Sequence, residues 1–218
     1  RDLLSFPTRR SSDLERNEER SLVARYGSDD TSCDVGPTRV LLKRTVGTWR
    51  GWAHTPMDYE NPEWAREWTP MVSRSDLALK LLIHDDTGAI AAAPTTSLPE
   101  VMGGNLNWDY RYSWLRDSSM VAQALLALGH EEEAVEFLEW IRDASESACD
   151  EVWEPRIMYG LHGGKDLEEI ELTHLEGYRS SRPVRIGNGA ADQRQHEVYG
   201  ELLTTGYELL RQGVALDA

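Results

Sequence analysis

Four amphipathic aromatics, Trp108, Tyr110, Tyr112 and Trp114, alternate along the run Asn107 to Ser119 and lead into the adjacent pair Arg116-Asp117. A pyranose offers apolar C–H faces that sit on Trp and Tyr rings, and a rim of hydroxyls that a carboxylate and a guanidinium hold by charge-assisted hydrogen bonds. Few ligands need both surfaces together, so the stretch has the chemistry of a sugar site. An ionised Asp117 can accept from two vicinal hydroxyls, while Arg116 fixes it or binds a further hydroxyl. The plainer reading of an Arg-Asp dipeptide is a helix N-terminal cap with a surface ion pair.

Composition agrees with the richer reading. The chain has eight Trp and eight Tyr but two Phe, and Trp and Tyr keep a polar edge that suits a hydroxyl-rich cleft. At 218 residues it can bury one good core. A net charge of −15, with Lys and Arg interleaved among acids, speaks against nucleic acid as a partner. No apolar run reaches the roughly 20 residues that span a bilayer, so no membrane association is expected. Cys33 and Cys149 lie far apart in no metal-like spacing, which fits a reducing, cytoplasmic compartment.

The elements that must position the motif read as helices with long loops. Val40 to Trp52 has helical spacing at Val40, Leu41, Leu42, Val46, Trp49 and Trp52, followed by a turn at Pro56 to Pro62. Trp64 to His84 repeats the pattern through Trp68, Met71, Val72, Leu77, Leu79, Leu81 and Leu82 and ends in a tight turn. Ala89 to Glu100, closed by Pro94 and Pro99, predicts an extended connection.

In the motif itself both an extended approach and an early helix fit the spacing. Either places Arg116 and Asp117 at the mouth of a helix, where unpaired N–H groups and the dipole favour an ionised carboxylate. That helix has an inward face of Leu115, Met120 or Val121, Ala122, Leu125 and Leu128, and Gly129 ends it. The next opens on Glu131, Glu132 and Glu133 and buries Ala134, Phe137, Leu138 and Ile141, which makes an αα hairpin. Glu151 to Gly189 has no period and is too long for an ordinary connector, so it reads as a functional loop. Ala190 to Arg211 predicts a last helix with Gln195, Tyr199, Leu202, Leu203, Gly206, Leu209 and Leu210 on one face.

Several chemical motifs carry less. His162-Gly-Gly-Lys165 lacks the strand and spacing of a phosphate loop. His130-Glu131 lacks the second His of a zinc site. Glu176 stands among Glu168, Glu169 and Glu171 and reads as part of a solvated acidic loop. No metal or cofactor is expected.

The ends read as foreign and incomplete. Ser5 to Leu14 resemble one reading frame of a sequencing-library adapter, so residues 1–14 are set aside as an artefact. Residues 15–38 are expected to be the remnant of an upstream domain or its linker, and residues 39–218 the amino-proximal part of the main domain. Gly213 to Ala218 follow a helical pattern without a stop signal, so the chain is expected to continue.

The string Ala92 to Glu100, Gly103-Gly104, Asn107 to Tyr112 and Trp114 to Ser118 resembles the bacterial form of the glucoamylase-like glycoside hydrolases of family 15. A second block, Gly177 to Gln193 with Tyr199-Gly-Glu201, is similar to that family's next motif in the right order. The resemblance implies an all-α fold: an incomplete α/α toroid of six helical hairpins, about its first half, behind a β-sandwich. It implies an inverting glycosidase that releases glucose from α-glucan ends or from trehalose. By the resemblance Asp117 and Arg116 hold the terminal glucose hydroxyls, and Trp108, Tyr112 and Trp114 wall that pocket. Arg182 and Arg185 either touch the same or the next sugar or hold their loop together.

The resemblance implies a general acid in a Trp-Glu motif downstream of the second block and a base further on, so both are expected beyond Ala218 and the 218-residue chain alone should be inactive; Trp153-Glu154 has that dipeptide but precedes the second block. Ser113, Leu106 and His196-Glu197 depart from the family's usual residues. Leu106 in particular removes a cation from the pocket rim. A non-catalytic sugar-binding or helical scaffold protein, and an unrelated toroidal lyase or isomerase, are the other readings.

Overall fold

A computed structural model describes residues 38–53, 67–96, 98–146 and 155–214. Residues 1–37, the turn at Pro56 to Pro62, Trp64, both cysteines and Trp153-Glu154 lie outside the described residues. The chain divides into two compact units, residues 1–51 and 52–218. The described part of the first is most of helix α1, Thr38–Ala53, as the periodicity predicts. Its Val40, Leu41, Leu42 and Val46 are exposed.

In the second unit, α2 runs Thr69–Lys80. It is shorter than the predicted Trp64 to His84 because Pro70 sits in the first turn, where its missing N–H costs no helical bond, and Gly88, at φ +75°, ends a tight turn after the helix. The expected apolar stripe buries little: Trp68, Met71 and Leu81 are exposed, and the one buried residue of α2 is Asp76. Asp76 meets the buried His130, at 2.9 Å from Nε2, and Trp52 stacks on that imidazole with ring centroids 4.0 Å apart.

In the connection predicted as extended, Ala89 to Glu100, no helix forms among the described residues, and Ile90 and Thr96 make isolated antiparallel bridges to Ile83 and Asp109. Ala92 and Ala93 donate their amides to the carbonyls of Tyr112 and Tyr110, each at 2.9 Å. Strand β1, Ser113–Trp114, pairs antiparallel with β2, Met158–Tyr159. Helix α3, Leu115–Ala127, starts without interruption. Its buried face is Leu115, Ser118, Ser119, Ala122, Leu125 and Leu126, with Val121 rather than the exposed Met120 packed against the core.

Gly129, at φ +89°, ends α3 in a tight C-terminal turn in which the His130 amide reaches back to the Leu125 carbonyl at 2.9 Å. Helix α4, Glu131–Glu146, follows and buries Ala134, Phe137, Trp140, Ile141 and Ala144. The two helices pack as the expected hairpin.

The long loop carries a second small antiparallel sheet, β3 Ile170–Glu171 with β4 Arg185–Ile186. Helix α5 is Glu197–Arg211, and it begins well after the predicted Ala190. The Asn188 side chain accepts from the Ala190 amide and holds residues 189–192 in a 3-10 turn, after which Gln193 is extended. The buried face of α5 is also corrected, to Val198, Leu202, Thr205 and Leu209, while Leu203 and Leu210 are exposed. Ser119 and Thr205 make the α3–α5 seam small and polar: Gln123 donates to the Thr205 hydroxyl at 3.1 Å and contacts Glu201 at 3.4 Å. The fold is thus mainly helical, with α3, α4 and α5 around one core and two minimal sheets at the loops.

Candidate functional site

The run 107–112 is extended, so Trp108, Tyr110 and Tyr112 are half-buried while Asn107, Asp109 and Ser113 point into the protein. Asp109 is fully buried, at 0% exposure, and organises the region. Its Oδ1 accepts from the Arg111 Nε at 2.9 Å and amide at 3.2 Å. Its Oδ2 accepts from Arg111 Nη2 at 2.8 Å, the Tyr112 hydroxyl at 3.1 Å and the Gly187 amide at 3.3 Å. Burial alone would raise this carboxyl, but the Arg111 and Tyr112 hydrogen bonds and the Arg111 charge outweigh it and hold it below the usual aspartate value. Burial, then the Asp109 charge, pushes the Tyr112 hydroxyl up.

These bonds tie the two sequence blocks together. Gly187 also donates to the Tyr112 hydroxyl at 3.0 Å, and Asn188 Nδ2 donates to the Asp109 carbonyl at 3.1 Å. Asn107 Nδ2 donates to the Pro183 carbonyl at 3.0 Å, and the Gly103 amide donates to Ser181 Oγ at 2.8 Å. Gly187 has φ +74°, and a Cβ there would lie 1.8 Å from the Glu168 carbonyl oxygen. Gly187→Ala is therefore expected to destabilise the fold by about 1–3 kcal/mol from backbone strain, measured as a lower urea midpoint.

Of the residues singled out for the sugar pocket, Arg116 and Asp117 stand where expected, in the first turn of α3. They are 36% and 47% exposed, with Nη2 3.4 Å from Asp117 Oδ2. That oxygen is itself buried and accepts no hydrogen bond from the described residues. Asp117 does not cap the helix: Trp114 is the N-cap residue and α3 has no side-chain cap. Burial raises the Tyr110 hydroxyl, and the charges of Glu100 and Asp117 add to that, so a protonated donor lies near the carboxylate.

Trp114, expected in the pocket wall, is instead 8% exposed and packs in the core, because β1 pairing and the immediate start of α3 turn its ring inward against Tyr110. The Arg185 guanidinium lies 4.8 Å over the Trp108 ring. It also pairs with Glu169 at 3.1 Å and donates to the Asn105 carbonyl at 2.8 Å. Those contacts hold the loop. Arg182 is exposed and donates to the Glu176 carbonyl at 3.3 Å.

A cleft of about 480 Å³, a size that suits a small ligand, is lined by residues 155–157, Ala191 to His196 and Tyr199, none of them among the residues singled out for the sugar pocket. Gln195, in its wall, accepts from Arg116 Nη1 at 3.1 Å, and the same nitrogen donates to Glu197 at 2.9 Å. The half-exposed Asp117 carboxylate and the Arg116 guanidinium held by Gln195 and Glu197 are chemically able to bond ligand hydroxyls. Among the described residues no group of three or more His, Cys, Asp or Glu could hold a metal ion, and no helix is long and apolar enough to cross a membrane.

Sequence reasoning missed Asp109, Gln195 and the role of Glu197. A signal for Asp109 was present: Asn107, Asp109 and Ser113 occupy the positions between the aromatics, and Arg111 stands two residues from the carboxylate.

Known proteins resemble the chain over most of its length. It is 46% identical over 164 residues to a trehalase of Mycolicibacterium smegmatis, covering 75% of this chain and 24% of that protein. It is 38% identical over 216 residues to a trehalase of Thermoplasma volcanium, covering 95% and 33%, and 42% identical over 202 residues to one of Thermoplasma acidophilum, covering 92% and 33%. The chain spans about a quarter to a third of the length of these relatives. No solved structure matches it. The family model of glycosyl hydrolases family 15 matches residues 69–218, from the first residue of α2 through both sequence blocks, and the chain belongs to that family.

Proposed function

We propose that the protein containing this chain is an exo-acting α-glycosidase that cleaves a disaccharide of glucose, trehalose first, with inversion at the anomeric carbon. The observation that carries this reading is the Arg116-Asp117 pair in the first turn of α3, with the Asp117 side chain 47% exposed and Arg116 bonded to Gln195 in the wall of the 480 Å³ cleft. A half-exposed carboxylate beside a held guanidinium suits ligand hydroxyls.

In this reading the chain supplies the grip on the terminal glucose. Asp117 and Arg116 take vicinal hydroxyls, Trp108 and Tyr112 supply ring surface, and Arg182 contacts the sugar from its exposed loop. Likeness to proteins named trehalases supports trehalose as substrate. Maltooligosaccharide ends are the second substrate class, because one terminal-glucose pocket serves both. Helices α3, α4 and α5 would belong to an α/α toroid.

In inverting hydrolysis one carboxylic acid protonates the leaving oxygen while a carboxylate on the opposite face activates water, the two standing roughly 6.5–9.5 Å apart. In this reading neither role falls to Glu176, and both groups lie downstream of the second block.

Trehalose turnover by the full-length protein, followed by proton NMR in the first minutes, tests the reading. Inversion releases β-glucose and α-glucose in equal amounts, whereas retention releases only α-glucose. Binding of trehalose and maltose with no glucose release from either would leave a sugar-binding protein and overturn the hydrolase.

A further inference from the structure

We propose that Glu197 is a positioning residue for Arg116, and that it keeps Asp117 available to the sugar; the proposal rests on the glycosidase reading of this site. Arg116 and Asp117 are neighbours in the first turn of α3, and a guanidinium on a flexible stem pairs readily with an adjacent carboxylate in two parallel hydrogen bonds. That pairing would consume the acceptors that ligand hydroxyls need. The observed geometry is different. Arg116 Nη1 is drawn across to α5, where Glu197 Oε1 accepts at 2.9 Å and Gln195 Oε1 at 3.1 Å. Among the described residues Asp117 keeps one long contact, from Oδ2 to Nη2 at 3.4 Å.

Gln195 is fixed in turn, since its Nε2 donates to Gln193 Oε1 at 3.1 Å, so its oxygen is the atom facing Arg116. Glu197 and the amide of Gln195 compete with Asp117 for the same cation, and Glu197 supplies the charge that wins.

The link is not what holds the helices together. The α3–α5 seam is secured by buried Val198, Leu202 and Leu209 and by the Gln123 to Thr205 hydrogen bond. Glu197 is 46% exposed, and an ion pair at that exposure contributes little to stability. Its effect should therefore appear in sugar affinity and not in folding.

The test uses the full-length protein with Glu197→Ala, Glu197→Asp, Arg116→Ala and the Arg116→Ala/Glu197→Ala pair, each read by trehalose KM and kcat, by calorimetric Kd for trehalose, and by the urea midpoint. Glu197→Ala is expected to raise KM and Kd about tenfold with kcat within about twofold and the midpoint unchanged. Glu197→Asp restores part of the affinity. In the Arg116→Ala background, Glu197→Ala adds nothing further. An unchanged Kd in Glu197→Ala, or the same tenfold loss without Arg116, overturns the proposal. A wild-type protein that binds trehalose without cleaving it overturns the hydrolase reading alone, and the Kd series still decides the role of Glu197. One that does neither overturns both.

Discussion

Replacing Asp117 by alanine in the full-length protein is expected to lower kcat/KM for trehalose by about 10²–10⁴, the loss of two hydrogen bonds to a charged acceptor at roughly 1.5–3 kcal/mol each. The fold should hardly notice. Asp117 donates nothing to a helix cap, lies 47% exposed, and makes one long ion-pair contact. What it does offer α3 is a negative charge in the first turn, worth about 0.3–1 kcal/mol. Helix content by circular dichroism and the urea midpoint should stay close to wild type while turnover collapses. Asp117→Asn, which keeps the shape and one acceptor oxygen, should fall between the two. If kcat/KM survives Asp117→Ala, the terminal-glucose site lies elsewhere.

The opposite split is expected at Asp109. Removing its carboxylate takes the acceptor from the Tyr112 hydroxyl and from Arg111 and removes one of the ties between the second block and the first. Breaking a buried pair costs about 3–5 kcal/mol. The low end applies here because the partner cation, Arg111, is 46% exposed and can be rehydrated. Asp109→Ala should lower stability by about 3 kcal/mol, read as a shift of the urea midpoint.

The pH dependence has a definite sign. The folded-state carboxyl lies below its unfolded value, so its stabilisation is fully present above about pH 4 and is lost as pH falls through the lower, folded value. Wild type should therefore lose stability more steeply than Asp109→Asn on acidification below about pH 4. A residual slope remains in the variant. Burial raises the Glu133 carboxyl, but Lys80, Trp52 and its own amide hydrogen-bond to it and hold it low. Equal slopes in wild type and Asp109→Asn would count against the Asp109 network as the acid-sensitive link.

Local pattern carried most of the helical architecture. The spacing of Leu115, Ala122 and Leu125, the glycine at 129 and the acidic start at Glu131 to Glu133 specify α3 and α4 through interactions within a few residues, and both stand where predicted. Pattern misjudged α5, because the Asn188 side chain captures the Ala190 amide and delays the helix, and because the polar seam at Ser119 and Thr205 selects the buried face. Arg116 and Asp117 were legible at the mouth of α3 because their position depends only on where that helix begins.

What the sequence determined by itself was the helical class and the place of Arg116 and Asp117 at the mouth of α3, both of which follow from residue type and short-range spacing. Tertiary structure alone decided how the side chains divide the labour. Trp114 joined the core and Arg185 locked its loop, and Asp109 became the tie between the blocks. Glu197, visible in the sequence only as a departure from family pattern, reached Arg116 across a separation of 81 residues. A hydrogen bond between residues so distant in the chain leaves no periodic trace, because the packing of α5 on α3 brings its two ends together.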